Sequence, residues 1–431
     1  MRIAMPYDES AQEAALDWAR NLGVLDVTDV PPVSGVTRAA REAFRRPIGM
    51  QHAAFDGIRP GAEVVIVVSD SFRKTRIHEI LPAMLEELEQ AGARERDISF
   101  LYSTGSHRPP TGDEQRAILG EAVYDRFQGR AYAHDPADKE NLVFLGRTSR
   151  GTPVSLNRRL VEADHVIVTG TVVLHYFGGF GGGRKSLVPG LAGLDTIAHN
   201  HALNLHPTEN RLNPDVRIGV LEGNPVAEDM LEGARLCRVD CIVNTVLNRA
   251  GAIAGLYVGE LDAAFRAAAR FARDLYAVPI EERADLVIAS AGSARNFVQC
   301  HKALFNAYQA VKPGGHIVFL AAAPEGFGGN KFAQWLRLGS RDAIIAELRK
   351  NAEINGQTAL STLEKAAATT FVTRLSDEEV RWMGGRKAAT LAEALEQVRA
   401  DLANAGVDSP ACYLMPSAAY TVPWPHLRAD V

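Results

Sequence analysis

The sequence has few cysteines, no excess of positive charge and no long apolar run. Four cysteines among 431 residues are too few for a disulfide framework, so we predict free thiols buried in the fold. No segment reaches the roughly 18 consecutive apolar residues of a membrane span, and Met1–Ser10 lacks the pattern of a secretory signal. The formal net charge of −5 argues against a nucleic-acid or membrane partner. Together these absences predict a cytoplasmic protein.

Short apolar segments alternate with amphipathic ones along the chain. Val64–Val68 contains only Val and Ile, which is typical of a strand buried on both faces of a parallel sheet. Ile80–Ala91 has apolar residues at helical spacing. Further strands are predicted at Ser99–Ser103, Val166–Val168, Leu286–Ile288, Ile317–Ala321 and Ala411–Met415. This alternation predicts an α/β fold of two domains with mostly parallel, Rossmann-like sheets.

The alanine-rich stretch Asp262–Ala277 marks the predicted domain boundary. We expect an N-terminal α/β cofactor-binding domain at residues 1–270 and a C-terminal α/β domain at residues 271–415. Residues 416–431 are expected to return to the first domain. The segment Leu25–Pro47 shows no regular pattern. Because ligands of such sheets bind beyond the carboxyl ends of the strands, we expect the active site in the cleft between the domains.

Two loops that follow predicted strands carry polar residues suited to binding or proton transfer. Ser69–Arg73 follows the first strand, and a turn of this composition binds anions through backbone N–H groups and a guanidinium. A plain helix cap is the alternative. Thr104–Pro110 holds His107 in a Gly/Pro-rich turn, where an imidazole suits acid–base catalysis. A surface histidine without a role is the alternative there.

The densest signal lies at residues 170–185, where five glycines fall within Gly178–Gly183. Glycine at this density costs conformational entropy on folding, so we predict that the backbone lies against a phosphate or a flat cofactor. The segment matches neither the Walker pattern nor GxGxxG opening a helix. His175 at its start adds a second imidazole, and Lys185 at its end adds an amine.

Two pairs of polar residues follow farther along the chain. His199 and His201 are candidate metal ligands, since neutral imidazole binds nickel, zinc and copper, although two ordinary surface histidines would look the same. Gln299 and Lys302 are three residues apart and share a helix face. Their amide and ammonium groups suit a small carboxylate, and a solvated helix start is the alternative.

In their order along the chain, these motifs resemble the nickel-dependent lactate racemase family. Each motif is weak alone, but the ordered set is not expected by chance. The resemblance runs from about Val64 to Gly329. Its segments are Asp70…Arg73, the Thr-Gly-Ser-His-Arg-Pro run with His107, His175 with the Gly-Phe-Gly-Gly-Gly-Arg run to Lys185, Asn200-His201, Gln299-x-x-Lys302, Lys312-Pro313-Gly314-Gly315 and Glu325-Gly326.

The resemblance implies a nickel-pincer cofactor, pyridinium-3,5-bisthiocarboxylic acid mononucleotide, whose nickel also takes one protein histidine. His201 corresponds to that ligand, and His199 is the fallback. Lys185 corresponds to the cofactor anchor, which in the family's best-known form is a thioamide bond. The implied cofactor-binding loop consists of Asp70, Ser71, Phe72 and Arg73. The implied substrate-binding residues are Arg73, Gln299 and Lys302.

The implied reaction is the racemisation or epimerisation of a 2-hydroxy acid, lactate or a related one. Hydride leaves Cα for the cofactor, and the substrate passes through a 2-oxo acid. His107 and His175 are the implied bases for the hydroxyl, one for each enantiomer. Two alternatives stay open. One is a metal-dependent hydrolase with His107, His175 and His201 as ligands, and the other is a non-catalytic nickel-cofactor carrier.

The chain departs from the lactate enzymes near the expected substrate. Phe72 and Lys74 stand where those enzymes usually have threonine and proline, and Val298 stands where a tyrosine often precedes the glutamine. These departures predict a hydroxy acid with a side chain different from that of lactate. Phe72 is the candidate contact for that side chain.

Overall fold

The computed structural model describes residues 1–425, which form two compact units. The central unit comprises Asp29–Asn204 and Asn213–Leu275. Of the described residues, the terminal unit comprises Met1–Thr28, Leu205–Leu212 and 276–425. Each unit is built around one mostly parallel six-stranded sheet, which confirms the predicted fold class of two α/β domains.

The strands and helices of both units are numbered together in chain order. They are β1 (Arg2–Tyr7), β2 (Ser10–Ala15), β3 (Arg20–Val24), α1 (Val36–Arg45), β4 (Val64–Ser69), α2 (Leu81–Gln90), β5 (Ile98–Ser103), α3 (Gly112–Leu119), α4 (Glu121–Phe127), β6 (Ala131–Ala133), β7 (Leu142–Arg147), β8 (Pro153–Asn157), α5 (Arg158–Glu162), β9 (His165–Thr171), β10 (Leu174–His175), β11 (Gly179–Phe180), α6 (Leu194–Ala202), α7 (Pro225–Ala234), β12 (Cys241–Leu247), β13 (Ile253–Gly259), α8 (Ala263–Tyr276), β14 (Ala277–Ile280), β15 (Ala284–Ser290), α9 (Phe297–Ala310), β16 (Val311–Leu320), α10 (Asn330–Leu336), α11 (Arg341–Leu348), α12 (Ile354–Ala366), β17 (Thr369–Val372), α13 (Asp377–Trp382), β18 (Arg386–Ala388), α14 (Leu391–Asn404), β19 (Ala411–Met415) and β20 (Val422–Pro425).

The central sheet has the strand order β13-β12-β9-β4-β5-β6. Only β13 is antiparallel to its neighbour. Every residue of β4 is buried, as expected for a Val/Ile strand covered on both faces. β4 lies between β5 and β9, with Ser69 opposite Ser103. The carboxyl ends of these three strands therefore bring the loops after β4, β5 and β9 to one edge of the sheet.

The terminal sheet has the order β18-β17-β16-β15-β19-β3 and is parallel throughout. β3 pairs with β19 and β20 pairs with β14, so both ends of the described chain belong to this unit. The structure thus assigns Met1–Thr28 differently from the predicted 1–270 domain. Residues 416–425 stay in the terminal unit instead of returning to the central one, and residues 426–431 lie outside the described part.

Two segments differ from their predicted structure. Leu25–Pro47, predicted to be irregular, contains α1. Only Ala40 and Phe44 of this arginine-rich helix are buried, so its sequence shows little apolar periodicity. Lys312–Gly315, predicted as a turn, lies within β16. The strand pairing shifts register there, and Gly314 adopts a φ of 79°, which is a bulge that glycine permits.

Within residues 1–425, no helix is long and apolar enough to cross a membrane. The four cysteines are free thiols, as predicted. Cys241, Cys300 and Cys412 are buried, and Cys237 is half-buried.

A buried ionisable cluster joins α12 to α9 in the terminal unit. Lys365 Nζ donates to the Ser361 carbonyl at 3.2 Å and to the Ser361 Oγ at 2.9 Å. The same Oγ lies 3.1 Å from His301 Nε2. Burial lowers the pKa of Lys365 to about 8, and burial together with the Lys365 charge lowers the pKa of His301 to about 3. A charged amine in this position therefore costs stability at neutral pH.

We expect Lys365→Met to stabilise the protein most below pH 8. Between pH 8 and pH 10.5 the unfolded chain holds a proton on Lys365 that the folded chain has lost, so wild-type stability rises with pH. The difference in the free energy of unfolding between the variant and the wild type should shrink by about 3 kcal/mol across that window. Urea unfolding at pH 7 to 10 measures it. Lys331→Met, which removes an exposed lysine, is the control, and a pH-independent difference for Lys365→Met would contradict the expectation.

Candidate active site

A buried carboxylate orients a histidine at the edge of the central sheet. Asp70 directly follows β4 and is only 3% exposed, and its Oδ2 lies 2.6 Å from His107 Nδ1 in the loop after β5. Since a carboxylate accepts the Nδ1 proton, a neutral His107 presents the lone pair of Nε2. The side chain of His107 is 42% exposed, so that nitrogen is accessible. Asp70 was predicted to bind a cofactor, and the structure adds this contact with His107.

The loop after β4 is fixed by the same carboxylate. Asp70 Oδ1 accepts the backbone N–H of Phe72 at 3.2 Å, and the Asp70 carbonyl accepts the N–H of Arg73. The Phe72 ring packs against His107 with 4.8 Å between ring centroids. Arg108 lies over the Phe72 ring and makes a two-pronged salt bridge with Glu114, at 2.6 Å for each bond. The base and its aromatic neighbour are thus held as one group.

The second predicted base, His175, lies beside Lys185. His175 Nδ1 accepts the backbone N–H groups of Phe177 and Gly178, each at 3.2 Å. A neutral ring bonded in this way carries its proton on Nε2. That Nε2 lies 2.6 Å from Lys185 Nζ, which is within hydrogen-bonding distance.

The two candidate metal ligands on α6 have different surroundings. His201 is 5% exposed, donates from Nδ1 to the Ile197 carbonyl at 2.6 Å and stacks on Phe177 at 4.8 Å. Burial lowers the pKa of His201 to about 4, and the nearby charge of Lys185 also lowers it. A neutral imidazole that donates through Nδ1 has the Nε2 lone pair that a metal requires. His199 is exposed, and its Nδ1 bonds the Asp195 carbonyl.

Two glycines of the glycine-rich segment pack against the protein itself, which corrects the interpretation of these two as part of a cofactor cradle. A Cβ on Gly179 would lie 2.1 Å from the Val220 carbonyl oxygen, and one on Gly182 would lie 2.7 Å from that of Thr171. Both glycines also have positive φ, 71° and 77°. The sequence shows that something approaches the backbone here, but it does not distinguish a ligand from a neighbouring strand.

Two buried side chains that the sequence analysis missed support this segment. Asn244 of β12 accepts the N–H of Gly183 through Oδ1 at 3.1 Å. Arg184 is 3% exposed, with its guanidinium over the Phe265 ring and 3.5 Å from Asp262. A polar residue inside the buried strand Cys-Ile-Val-Asn-Thr-Val-Leu was the available signal, because such a group needs a partner.

The predicted carboxylate-binding pair lies on α9 of the terminal unit. Asn296 caps this helix by accepting the N–H of Gln299 at 3.1 Å. Gln299 is exposed, and its Oε1 accepts the backbone N–H of Arg295. Lys302 is half-buried.

The metal-dependent hydrolase alternative requires three histidines to form a joint metal site. Among residues 1–425, no group of three or more His, Cys, Asp or Glu side chains is placed to hold a metal ion. His107, His175 and His201 therefore do not form the three-ligand site that a metal-dependent hydrolase needs.

Comparison with known proteins places this geometry in a family of isomerases. Residues 7–212 match the lactate racemase N-terminal domain. The chain is 31% identical over 300 residues to the lactate racemase of Thermoanaerobacterium thermosaccharolyticum, which is 69% of this chain and 68% of that protein. It is 30% identical over 335 residues to the lactate racemase of Lactiplantibacillus plantarum, which is 77% of each protein.

Solved structures agree with this relationship. The lactate racemase apoprotein from T. thermosaccharolyticum superimposes with a TM-score of 0.86 and 26% identity, covering 98% of this chain and all of that one. A Thermotoga maritima protein solved by structural genomics has a TM-score of 0.64 at 16% identity, covering 92% of this chain and all of that one, and shows the fold alone. The fold is therefore that of an α/β isomerase. The chain belongs to the lactate racemase family, which confirms the resemblance found in its motifs.

We expect Gly182→Ala to destabilise the protein more than Gly251→Ala. Both glycines have a φ of 77°, so both variants bear the cost of a left-handed alanine. Only at Gly182 would the new Cβ meet a backbone oxygen, whereas Gly251 has no atom within 4 Å. The difference should be roughly 2 kcal/mol in the free energy of unfolding, measured by urea denaturation. Equal losses would show that the segment is not packed as described.

Proposed function

We propose that the protein racemises or epimerises a 2-hydroxy acid with the aid of a nickel-pincer nucleotide. The observation that carries the proposal is the hydrogen-bonded pair of Asp70 and His107 at the carboxyl edge of the central sheet. His175 and His201 follow β9, which is adjacent to β4 in the same sheet. The homology to two lactate racemases makes lactate the first substrate to examine.

His107 is the better defined of the two proposed bases. Asp70 fixes the ring so that Nε2 faces outward, and its negative charge stabilises the imidazolium that forms when Nε2 takes the hydroxyl proton. The returning proton comes from the same nitrogen. Since a racemase must act on both enantiomers, a second base is needed on the other side of the substrate, and this role falls to His175.

His175 is engaged by Lys185 through the 2.6 Å contact between Nε2 and Nζ. The ring can accept a proton from substrate at Nε2 only in the tautomer that carries its proton on Nδ1, which requires Nδ1 to release the N–H groups of Phe177 and Gly178. Attachment of the nucleotide to Lys185 would in addition remove the amine from Nε2, because an acylated nitrogen is no longer basic. The contact between the two side chains therefore suits a lysine that anchors a cofactor and a histidine that acts once it is attached.

The residues present fit the proposed cofactor. His201 is buried and neutral, with its lone pair on Nε2, and is a better ligand than the exposed His199. A single protein ligand is sufficient when the nucleotide supplies the others. When bound, the nucleotide provides an acceptor for the substrate hydride, which acid–base side chains cannot provide. We propose that Asp70, Ser71, Phe72 and Arg73 border it.

Substrate carboxylate binding is proposed for Arg73, Gln299 and Lys302. A guanidinium and an ammonium neutralise the carboxylate, and an amide adds a directional hydrogen bond. These interactions hold Cα in place while the hydroxyl is deprotonated. A non-catalytic carrier would have no use for the buried Asp70 carboxylate that orients His107, which favours the enzyme over that alternative.

Alanine substitutions separate the proposed roles of the histidines. We expect His107→Ala and His175→Ala to lower racemisation at least 100-fold while nickel content stays unchanged, because a general base contributes about that much. His201→Ala should lose the nickel, measured by elemental analysis of purified cofactor-loaded protein. His199→Ala, two residues away on the same helix, is the control and should retain both properties. Racemisation at the normal rate by a His107/His175 double variant would refute the proposal.

Asp70→Asn tests whether the carboxylate positions the base. An amide keeps the shape of Asp70 but donates where the carboxylate accepts, so it favours the wrong tautomer of His107. We expect kcat to fall by about 100-fold to 10,000-fold with a small change in KM. Asp113→Asn, at an exposed aspartate in the first turn of α3, is the control and should be near wild type. An unchanged kcat for Asp70→Asn would remove the pair from the mechanism.

A further inference from the structure

An exposed aromatic ring stands beside the proposed base. Phe72 is 52% exposed although its ring contacts His107 and lies below the Arg108 guanidinium. More than half of this large apolar side chain therefore remains in water. The burial of such a ring by a ligand is favourable in proportion to the apolar area covered.

The position of the ring is built into the site. Asp70 Oδ2 bonds His107, and Asp70 Oδ1 bonds the backbone of Phe72, so one carboxylate sets the distance between the base and the ring. A substrate hydroxyl bound to His107 Nε2, at about 2.8 Å, brings the substituents of Cα beside the same imidazole. A side chain of several carbons can then cover the Phe72 ring, whereas a methyl group is too short to do so.

The charges near the ring favour an apolar side chain. The Arg108 guanidinium lies over the Phe72 ring, and both of its terminal nitrogens are bonded to Glu114. The carboxylate of Glu114 thus neutralises Arg108 and reduces its attraction for a second substrate carboxylate.

We infer that Phe72 is a specificity-determining residue that binds the side chain of the hydroxy acid, and that the preferred substrates carry an apolar side chain larger than methyl. This inference rests on the proposed function and specifies its substrate class. It makes 3-phenyllactate and 2-hydroxyisocaproate better substrates than lactate. It also makes malate, whose side chain is charged, a poor one.

The test compares racemisation of lactate, 2-hydroxyisocaproate, 3-phenyllactate and malate by cofactor-loaded wild type and Phe72→Thr. We expect wild-type kcat/KM for 3-phenyllactate to exceed that for lactate at least tenfold, consistent with burial of several carbon atoms. Phe72→Thr should lower kcat/KM for 3-phenyllactate about tenfold more than it lowers kcat/KM for lactate, since any effect of the change on cofactor binding acts on both acids alike. Phe144→Thr is the matched control, because Phe144 is an exposed phenylalanine (61%) on β7.

A binding measurement supplements turnover. 3-Phenylpropanoate lacks the hydroxyl and cannot react, so its inhibition constant reports side-chain binding alone. We expect it to inhibit at least tenfold more strongly than propanoate in wild type and in Phe144→Thr, and to lose most of that advantage in Phe72→Thr. Unchanged melting temperatures would show that the variants are folded, as expected for exposed positions.

The outcomes distinguish this inference from the proposed function. If cofactor-loaded protein turns over none of the four acids, the proposed function itself fails. The assignment of Phe72 is overturned if lactate or malate is the best substrate, or if Phe72→Thr leaves the preference for large side chains intact. In either case the proposed racemase activity is retained.

Discussion

The candidate site depends on one buried carboxylate. Asp70 is almost completely enclosed, and each of its oxygens has a partner, the His107 ring and the Phe72 backbone. An ionised carboxylate is costly to remove from water, and these hydrogen bonds offset that cost only in this geometry. Because the two partners follow neighbouring parallel strands, the register of β4 against β5 determines whether the bonds can form. The apolar core of the sheet therefore sets the position of a proton-transfer group.

The segment that carries the second proposed base depends on close packing of the backbone. The segment that carries His175 and Lys185 folds against the end of β9 and against Val220 at distances that only glycine allows. Asn244 accepts a hydrogen bond from Gly183 of this segment, and Arg184 of the segment pairs with Asp262. The proximity of His175 to Lys185 thus follows from many small contacts, in contrast to the single carboxylate beside His107.

Much of the fold follows from the sequence, because buried parallel strands are continuous apolar runs. β4 and β19 lie where Val64–Val68 and Ala411–Met415 predict them. β3 is half-exposed at a sheet edge, so its sequence has no such run. Within the site, the order of motifs predicts which residues matter but not their partners, since the contact of Asp70 with His107 depends on strand register. The glycines show the same limit, because a close approach to the backbone requires glycine whether the neighbour is a ligand or a strand.

The strand pairing of the terminal unit has a consequence for biosynthesis. Every strand of the central sheet lies between Val64 and Gly259, so that sheet can close while the rest of the chain is still being made. β3 is made near the start, but its partner β19 emerges almost 400 residues later. Domains generally fold as units during synthesis, and the central unit therefore folds first as an insertion within the terminal unit. β1 and β2 can pair with each other at once, but β3 stays unpaired until β19 has been made.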